Sequence, residues 1–328
     1  MAHLHSDTHL HHDHDHEDCG GGGHGHAHGP GGHSHAPASF GRAFAIGIAL
    51  NAAYVGGEAL AGLLSHSLAL LADAGHNLGD VLGLAAAWLA QGLGRRRPTT
   101  RYTYGLRRSS ILSALGNAVV LLVVTGAIAW EAVRRLLLAP APVGAETVMA
   151  VAAIGIAING GTALMFAAGR KGDLNIRAAF QHMAADALLA AGVVAAGAVI
   201  WFTGWLWLDP LVSLVLAAVI VAGTWSVLRH SLDLALDAVP PGIDRIAVEG
   251  FLRQLPGVVD LHDLHIWGMS TTETALTAHL VRPGPAANDA MLRQAAADLR
   301  ARFGIGHATF QVEQDLDGRC ILAIVGSV

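Results

Sequence analysis

The sequence predicts an α-helical membrane protein: six transmembrane helices followed by a small C-terminal α+β domain. Three observations predict it. Only 14% of the 328 residues are charged and 53% are hydrophobic, whereas soluble domains carry roughly 25% charged residues. Ala/Leu/Val/Gly runs recur between residues 40 and 230, each near the ~20 residues that cross a bilayer as a helix. After residue 238 the pattern turns to the alternation of a soluble fold.

Three parts follow: a tail (1–39), a membrane domain (40–230) and a soluble domain (238–328). The tail contains "HLHHDHDHEDCGGGGHGHAHGPGGHSH" and holds twelve of the 20 histidines. Gly, Pro and His without apolar periodicity predict disorder. His alternates with Asp, Gly and Ala there, which reads as a native metal-collecting segment rather than an expression tag. No cationic stretch leads into an apolar one, so the first membrane helix is expected to be retained. Cys19 and Cys320 form neither a CxxC pair nor a disulfide framework. No P-loop occurs, no organic cofactor is indicated, and nothing points to nucleic acid as a partner.

The six spans are read at 40–64, 68–92, 109–137, 144–168, 178–203 and 207–228. Turn-forming breaks separate them: "SHS", "RRRPTTRYTYG", "APAPVG", "GRKGDLN" and "TGWLWLDP". The second break and its flank carry Arg95, Arg96, Arg97, Arg101, Arg107 and Arg108; the fourth carries Arg170, Lys171 and Arg177. The positive-inside rule places both in the cytoplasm, and six spans then put both termini there. Arg134 and Arg135 near the third break are an exception. Trp201, Trp205 and Trp207 read as an interfacial belt. Asp209-Pro210 reads as the cap and first turn of span six.

In the soluble part, "GIDRIAVEGFLRQL" predicts an amphipathic helix, and "VVDLHDLHIWGM" and "TETALTAHLVRP" two strands. "NDAMLRQAAADLRARFG" is a second helix, "HATFQVEQD" a third strand and "CILAIV" an edge strand. The order αββαβ predicts helices packed on a sheet.

Charged groups inside a span cost ~2.5–3.5 kcal/mol each on insertion scales, so they need a function or a partner. Span two carries His76 and Asp80, and span five carries His182 and Asp186. Both pairs are spaced i, i+4, which puts each on one helix face. Together they offer two imidazole nitrogens and two carboxylate oxygens, a tetrahedral set suited to Zn²⁺. All-oxygen octahedral ions fit this set less well. Metal binds only the deprotonated ligands, so loading and proton release are coupled. A free imidazole titrates near ~6.5, within reach of physiological pH.

Asp73 lies on nearly the same face as His76 but has no counterpart in span five, where Ala179 stands three before His182. It reads as a supporting group, either a proton relay or a packing residue. Asn51, Glu58, Asn117 and Asn159 read as helix–helix hydrogen-bonding groups. In the soluble domain His262, His265, His279 and His307 are candidates. Parity along a strand puts His262 and His265 on opposite faces. His262 with His279 is the better pair.

The stretches "GLLSHSLALLADAGHNLGD", "RYTYGLRRSSIL", "IRAAFQHMAADAL", "LDPLVSL", "LPGVVDLHDLHIW" and "ALTAHLV" resemble the cation diffusion facilitator family of zinc exporters. The resemblance covers about residues 40–315. It implies a transport site of spans two and five on His76, Asp80, His182 and Asp186. It implies a homodimer in a bacterial inner membrane, exporting Zn²⁺ from the cytoplasm in exchange for protons, with Cd²⁺ and Co²⁺ left open. It also implies a metallochaperone-like (ferredoxin-like) cytoplasmic domain that dimerises and binds regulatory zinc through His262, His279 and Glu313. Gln311 stands where some members have His, so a full two-metal cluster is not expected. The Arg-rich break between spans two and three is expected to lack a metal site. Two alternatives stand beside transport: a membrane metal sensor, and an intramembrane metalloenzyme, for which no HExxH is present.

Overall fold

The apolar runs fold into helices of membrane length. The structure is a computed structural model that describes residues 42–138, 142–167, 174–284 and 289–314. Six helices come first: α1 (Arg42–Leu64), α2 (Leu68–Gly94), α3 (Ser109–Leu137), α4 (Ala145–Ala167), α5 (Leu174–Thr203) and α6 (Leu208–Ala235). The shortest have 23 residues, about 35 Å at 1.5 Å per residue, enough for a ~30 Å hydrocarbon core. Among the described residues, α3, α4, the Phe180–Thr203 part of α5 and α6 are each apolar enough to qualify as spans alone. At 27 residues α2 has the length, but its first half carries Asp73, His76, Asn77 and Asp80. Helix α6 runs past the expected end at 228 because Arg229, His230 and Asp233 continue the helix on polar residues.

At the end of the bundle where α2 and α6 begin, small and aliphatic side chains close the interior. Ala69, Leu70 and Ala72 of α2 meet Val148 and Ala152 of α4, Val193 of α5 and Leu216 of α6. Asp209 locks this end, and here the structure corrects the sequence reading. The N-cap of α6 is Trp207, with no side-chain capping bond. Asp209 turns instead to α2: Oδ2 accepts from Leu68 N at 2.8 Å, and Oδ1 from Ala69 N at 3.3 Å and Ser67 Oγ at 2.5 Å. Ser67 Oγ in turn accepts from Leu70 N at 3.2 Å. The unpaired amides of a helix's first turn are what a buried carboxylate needs, and the positive end of the helix dipole favours it. Close approach along α2 uses glycine: a Cβ on Gly79 would lie 2.9 Å from Leu121 Cδ2 of α3. Asn117 of α3 donates to Gly79 O at 3.1 Å, the helix–helix bond expected of it.

The C-terminal domain follows as α7 (Arg245–Arg253), β1 (Asp260–Gly268), β2 (Thr274–Val281), α8 (Asp289–Phe303) and β3 (Ile305–Glu313). The turn before α7 contains Gly242 at φ +94°, and Asp244 caps the helix by accepting from Ile246 N and Ala247 N. The sheet order is β1-β2-β3, with β1/β2 antiparallel and β2/β3 parallel. Val248, Leu252 and Leu299 of the helices cover Leu261, Leu264, Ile266, Leu276, Ala278 and Leu280 on one sheet face. The αββαβ order is as expected; the His-rich tail and "CILAIV" lie outside the described residues.

One expectation about β1 fails. His262 pairs with His279 and His265 with Thr277, so Asp263 and Leu264 together stand opposite Ala278. This is a β-bulge, and Asp263 takes φ +51° in it. The extra residue resets the alternation: Leu261, Leu264 and Ile266 all face the core. His262 and His265 therefore share the opposite face.

The two parts meet at the start of α3 and the end of α6. Arg107 Nη1 lies 2.9 Å from Glu273 Oε2, Arg108 pairs with Asp237, and Thr271 N donates to Ser110 Oγ at 3.1 Å. His307 sits edge-on to Tyr104, ring centroids 5.8 Å apart, away from the other histidines considered as ligands.

Candidate metal site

The i, i+4 spacing aligns His76 and Asp80 on α2 and His182 and Asp186 on α5, and the two helices bring these faces together. The pairing is crossed. His76 Nε2 lies 3.2 Å from Asp186 Oδ1, and His182 Nε2 lies 3.3 Å from Asp80 Oδ2 and 3.7 Å from Asp186 Oδ2. Ligand atoms of His76, Asp80 and Asp186 all fall within 4.8 Å of one another. The imidazoles stand edge to face, centroids 6.2 Å apart. Contacts between α2 and α5 are otherwise sparse, so the quartet sits on a seam. His76 Nδ1 is buried with no hydrogen-bond partner. Nε2, the nitrogen that faces Asp186, is the one placed to meet a cation shared with the carboxylates.

Burial is graded along the seam. Side chains of Asp186 and His76 are 4% and 20% exposed, those of Asp80 and His182 36% and 38%. The exposed pair lies one helical turn nearer the soluble domain, about 6 Å along the axes. The aliphatic layer that includes Leu70, Val193 and Leu216 lies beyond the buried pair.

Asp73 is not brought into the quartet's contacts. It is buried on α2, beside Glu58 of α1. Glu58, 1% exposed, accepts from Tyr54 OH at 3.2 Å and Asn77 Nδ2 at 3.1 Å. This network ties α1 to α2 directly behind the His76 turn. Glu58 thus makes the helix–helix hydrogen bond expected of it.

In the soluble domain the pairing of His262 with His279 sets two imidazoles side by side, centroids 5.2 Å apart. Glu313 of β3 joins them. Its Oε1 lies 2.9 Å from His279 Nδ1, and its Oε2 3.4 Å from His262 Nε2. All three offer ligand atoms within 4.8 Å of one another. His262 Nε2 is buried without a hydrogen bond, again a nitrogen suited to a cation. Gln311 takes no ligand position and donates to Glu313 Oε1 at 3.1 Å. His265, 52% exposed, turns to Asp263.

The family model "Cation efflux transmembrane domain" matches residues 44–234, and "Cation efflux protein, cytoplasmic domain" matches 240–315. The chain belongs to the cation efflux family. This cation efflux protein is 35% identical over 282 residues to the metal cation efflux system protein CzcD of Cupriavidus metallidurans, covering 84% of this chain and 88% of that one. It is 36% identical over 258 residues to the zinc transporter ZitB of Escherichia coli, covering 78% and 82%. It is 32% identical over 263 residues to the cadmium, cobalt and zinc/H(+)-K(+) antiporter of Bacillus subtilis, covering 79% and 84%. Membership makes this cation efflux protein an integral membrane transporter and sets aside the metalloenzyme alternative.

Proposed function

We propose that the protein exports Zn²⁺ from the cytoplasm in exchange for protons, through His76, Asp80, His182 and Asp186. The observation that carries the reading is the crossed pairing of two imidazoles and two carboxylates across the α2–α5 seam. Two nitrogens and two oxygens match tetrahedral Zn²⁺. With no ion bound, imidazole protons hold the four groups together as His–Asp pairs. An incoming ion displaces those protons, and returning protons release it, so loading and proton binding are mutually exclusive. The exposure gradient lets Asp80 and His182 receive the ion from the side of the soluble domain. The relatives named for zinc, and for cadmium, cobalt and zinc with protons, support this cargo class.

The remaining assignments rest on the same reading. The membrane domain is placed at 40–230, the cytoplasmic domain at 238–328 and the His-rich tail at 1–39, with both termini cytoplasmic in a bacterial inner membrane and the arginine-rich break on that side. His262, His279 and Glu313 form a regulatory zinc site, and the cytoplasmic domain joins two copies into a homodimer. Transport of a panel of divalent ions into sealed vesicles tests the cargo assignment. Zn²⁺, Cd²⁺ and Co²⁺ should move while Mg²⁺ and Ca²⁺ do not; transport of Mg²⁺ at the Zn²⁺ rate contradicts it.

A further inference from the structure

The trio in the soluble domain leaves one carboxylate unexplained. His279 presents both ring nitrogens to acids: Nδ1 to Glu313 Oε1 at 2.9 Å, and Nε2 to Asp263 Oδ2 at 3.5 Å. The other oxygen of Asp263 lies 2.9 Å from His265 Nε2. Asp263 reaches this position only because the bulge inserts it at φ +51°. A left-handed conformation is uncommon outside glycine, though Asp and Asn tolerate it better than other side chains. The Asp263 side chain is 16% exposed and stands behind the imidazole, on the side away from Glu313. A local strain retained at a cluster of metal-binding side chains points to a role for the residue that bears it.

We propose that Asp263 is the positioning residue of the cytoplasmic metal site: it holds the imidazole of His279 so that Nδ1 faces His262 and Glu313. A metal-ligating histidine takes its tautomer and ring orientation from the bond its other nitrogen makes, usually to a carboxylate or carbonyl. Asp263 accepts the Nε2–H, which leaves the Nδ1 lone pair for the ion. His265 is the outermost member of the chain and fixes the second oxygen of Asp263, so its own role is to orient the acid rather than to bind metal. This account explains why the bulge interrupts the strand directly after His262, and why His265 faces the metal side of the sheet without entering the trio. Losing such a partner commonly costs 10–100-fold in metal affinity.

The inference rests on the reading of His262, His279 and Glu313 as a zinc site, and one experiment separates the two. Full-length protein in detergent is titrated with zinc while hydrogen exchange of the peptide covering β1 and β2 is followed by mass spectrometry. Zinc should protect that peptide in the wild type, and His279→Ala should abolish the protection. Asp263→Gly keeps the left-handed backbone and removes the acceptor; it should raise the half-saturating zinc concentration by about 10–100-fold. Asp263→Asn retains a neutral acceptor and should fall between the two. A wild type with no zinc-dependent protection overturns the site itself. Protection lost in His279→Ala but reached in both Asp263 variants within about threefold of the wild-type midpoint, well short of the expected loss, overturns only the role of Asp263.

Discussion

His76 of α2 and Asp186 of α5 face each other across the seam with 3.2 Å between Nε2 and Oδ1, although 110 residues separate them in the chain. Asp186 also lies 3.7 Å from His182 Nε2, so one carboxylate serves both imidazoles. Asp186→Asn should therefore weaken zinc binding at this site by more than the ~10–100-fold typical of a residue behind a ligand. Isothermal titration of a variant lacking the His-rich tail, compared with the same protein carrying Asp186→Asn, checks this.

The exposure gradient predicts an order of access. In a background lacking Cys19 and Cys320, a cysteine introduced by Asp80→Cys should react with a charged thiol reagent several-fold faster than one introduced by Asp186→Cys. Their present exposures are 36% and 4%. Equal rates would mean that the seam opens at both ends alike.

Glu58 should matter for stability through the bonds it accepts from Tyr54 and Asn77. Interhelical bonds in membranes average ~0.6 kcal/mol and reach ~1.7. Glu58→Ala removes both acceptors and should lower stability by roughly 1–3 kcal/mol. Glu58→Gln keeps an acceptor oxygen and should recover part of the loss. Thermal unfolding in detergent, read by tryptophan fluorescence, measures both.

Asp209 binds three donors of the α2 start. Asp209→Ala leaves them unsatisfied in a buried setting, and a cap alone is worth about 0.5–2 kcal/mol. A lower melting temperature is expected, with slower transport because α2 carries half of the quartet. Zinc affinity should change far less than in Asp186→Asn. A variant with unchanged stability would show that water replaces the carboxylate.

The pH dependence of the cytoplasmic domain has a defined sign at Asp260. The backbone N–H of Leu261 and then Arg253 hold its carboxyl below the usual carboxylate range. A depressed folded-state value contributes stability that is present above the unfolded value, ~3.9, and lost as pH falls through the folded one. Asp260 is 59% exposed, so the contribution is small. Asp260→Asn should be slightly less stable than wild type at neutral pH, and the difference should begin to shrink as pH falls below about 4 and vanish only below the depressed folded value. Hydrogen exchange of β1 across that range tests it.

The transmembrane quartet was legible because two identical i, i+4 pairs of ionisable side chains are costly in apolar helices unless they serve a common site. Each partner is fixed by local spacing, and only the meeting of α2 with α5 needed the fold. The role of Asp209 was not legible. An Asp-Pro at a helix start predicts a local cap, and the amides it satisfies lie about 140 residues earlier. The bulge left a sign that strict period-two counting overlooked. Leu261 and Leu264 are both core-like and three apart, with an Asp between them able to enter the left-handed region. Counting parity through that Asp put His262 and His265 on different faces. The six-span reading matches six helices, and α2 is less apolar than α3, α4 and α6 because Asp73, His76, Asn77 and Asp80 interrupt it.

The most direct test of the central claim is simultaneous measurement of zinc uptake and proton release in sealed vesicles holding the full chain. Wild type should move zinc and protons in opposite directions, with flux accelerated by an imposed pH gradient. His76→Ala, Asp80→Ala, His182→Ala and Asp186→Ala should each abolish both fluxes together. Zinc binding without flux under that gradient, or proton-coupled flux that survives loss of His76 and Asp186, would contradict the account.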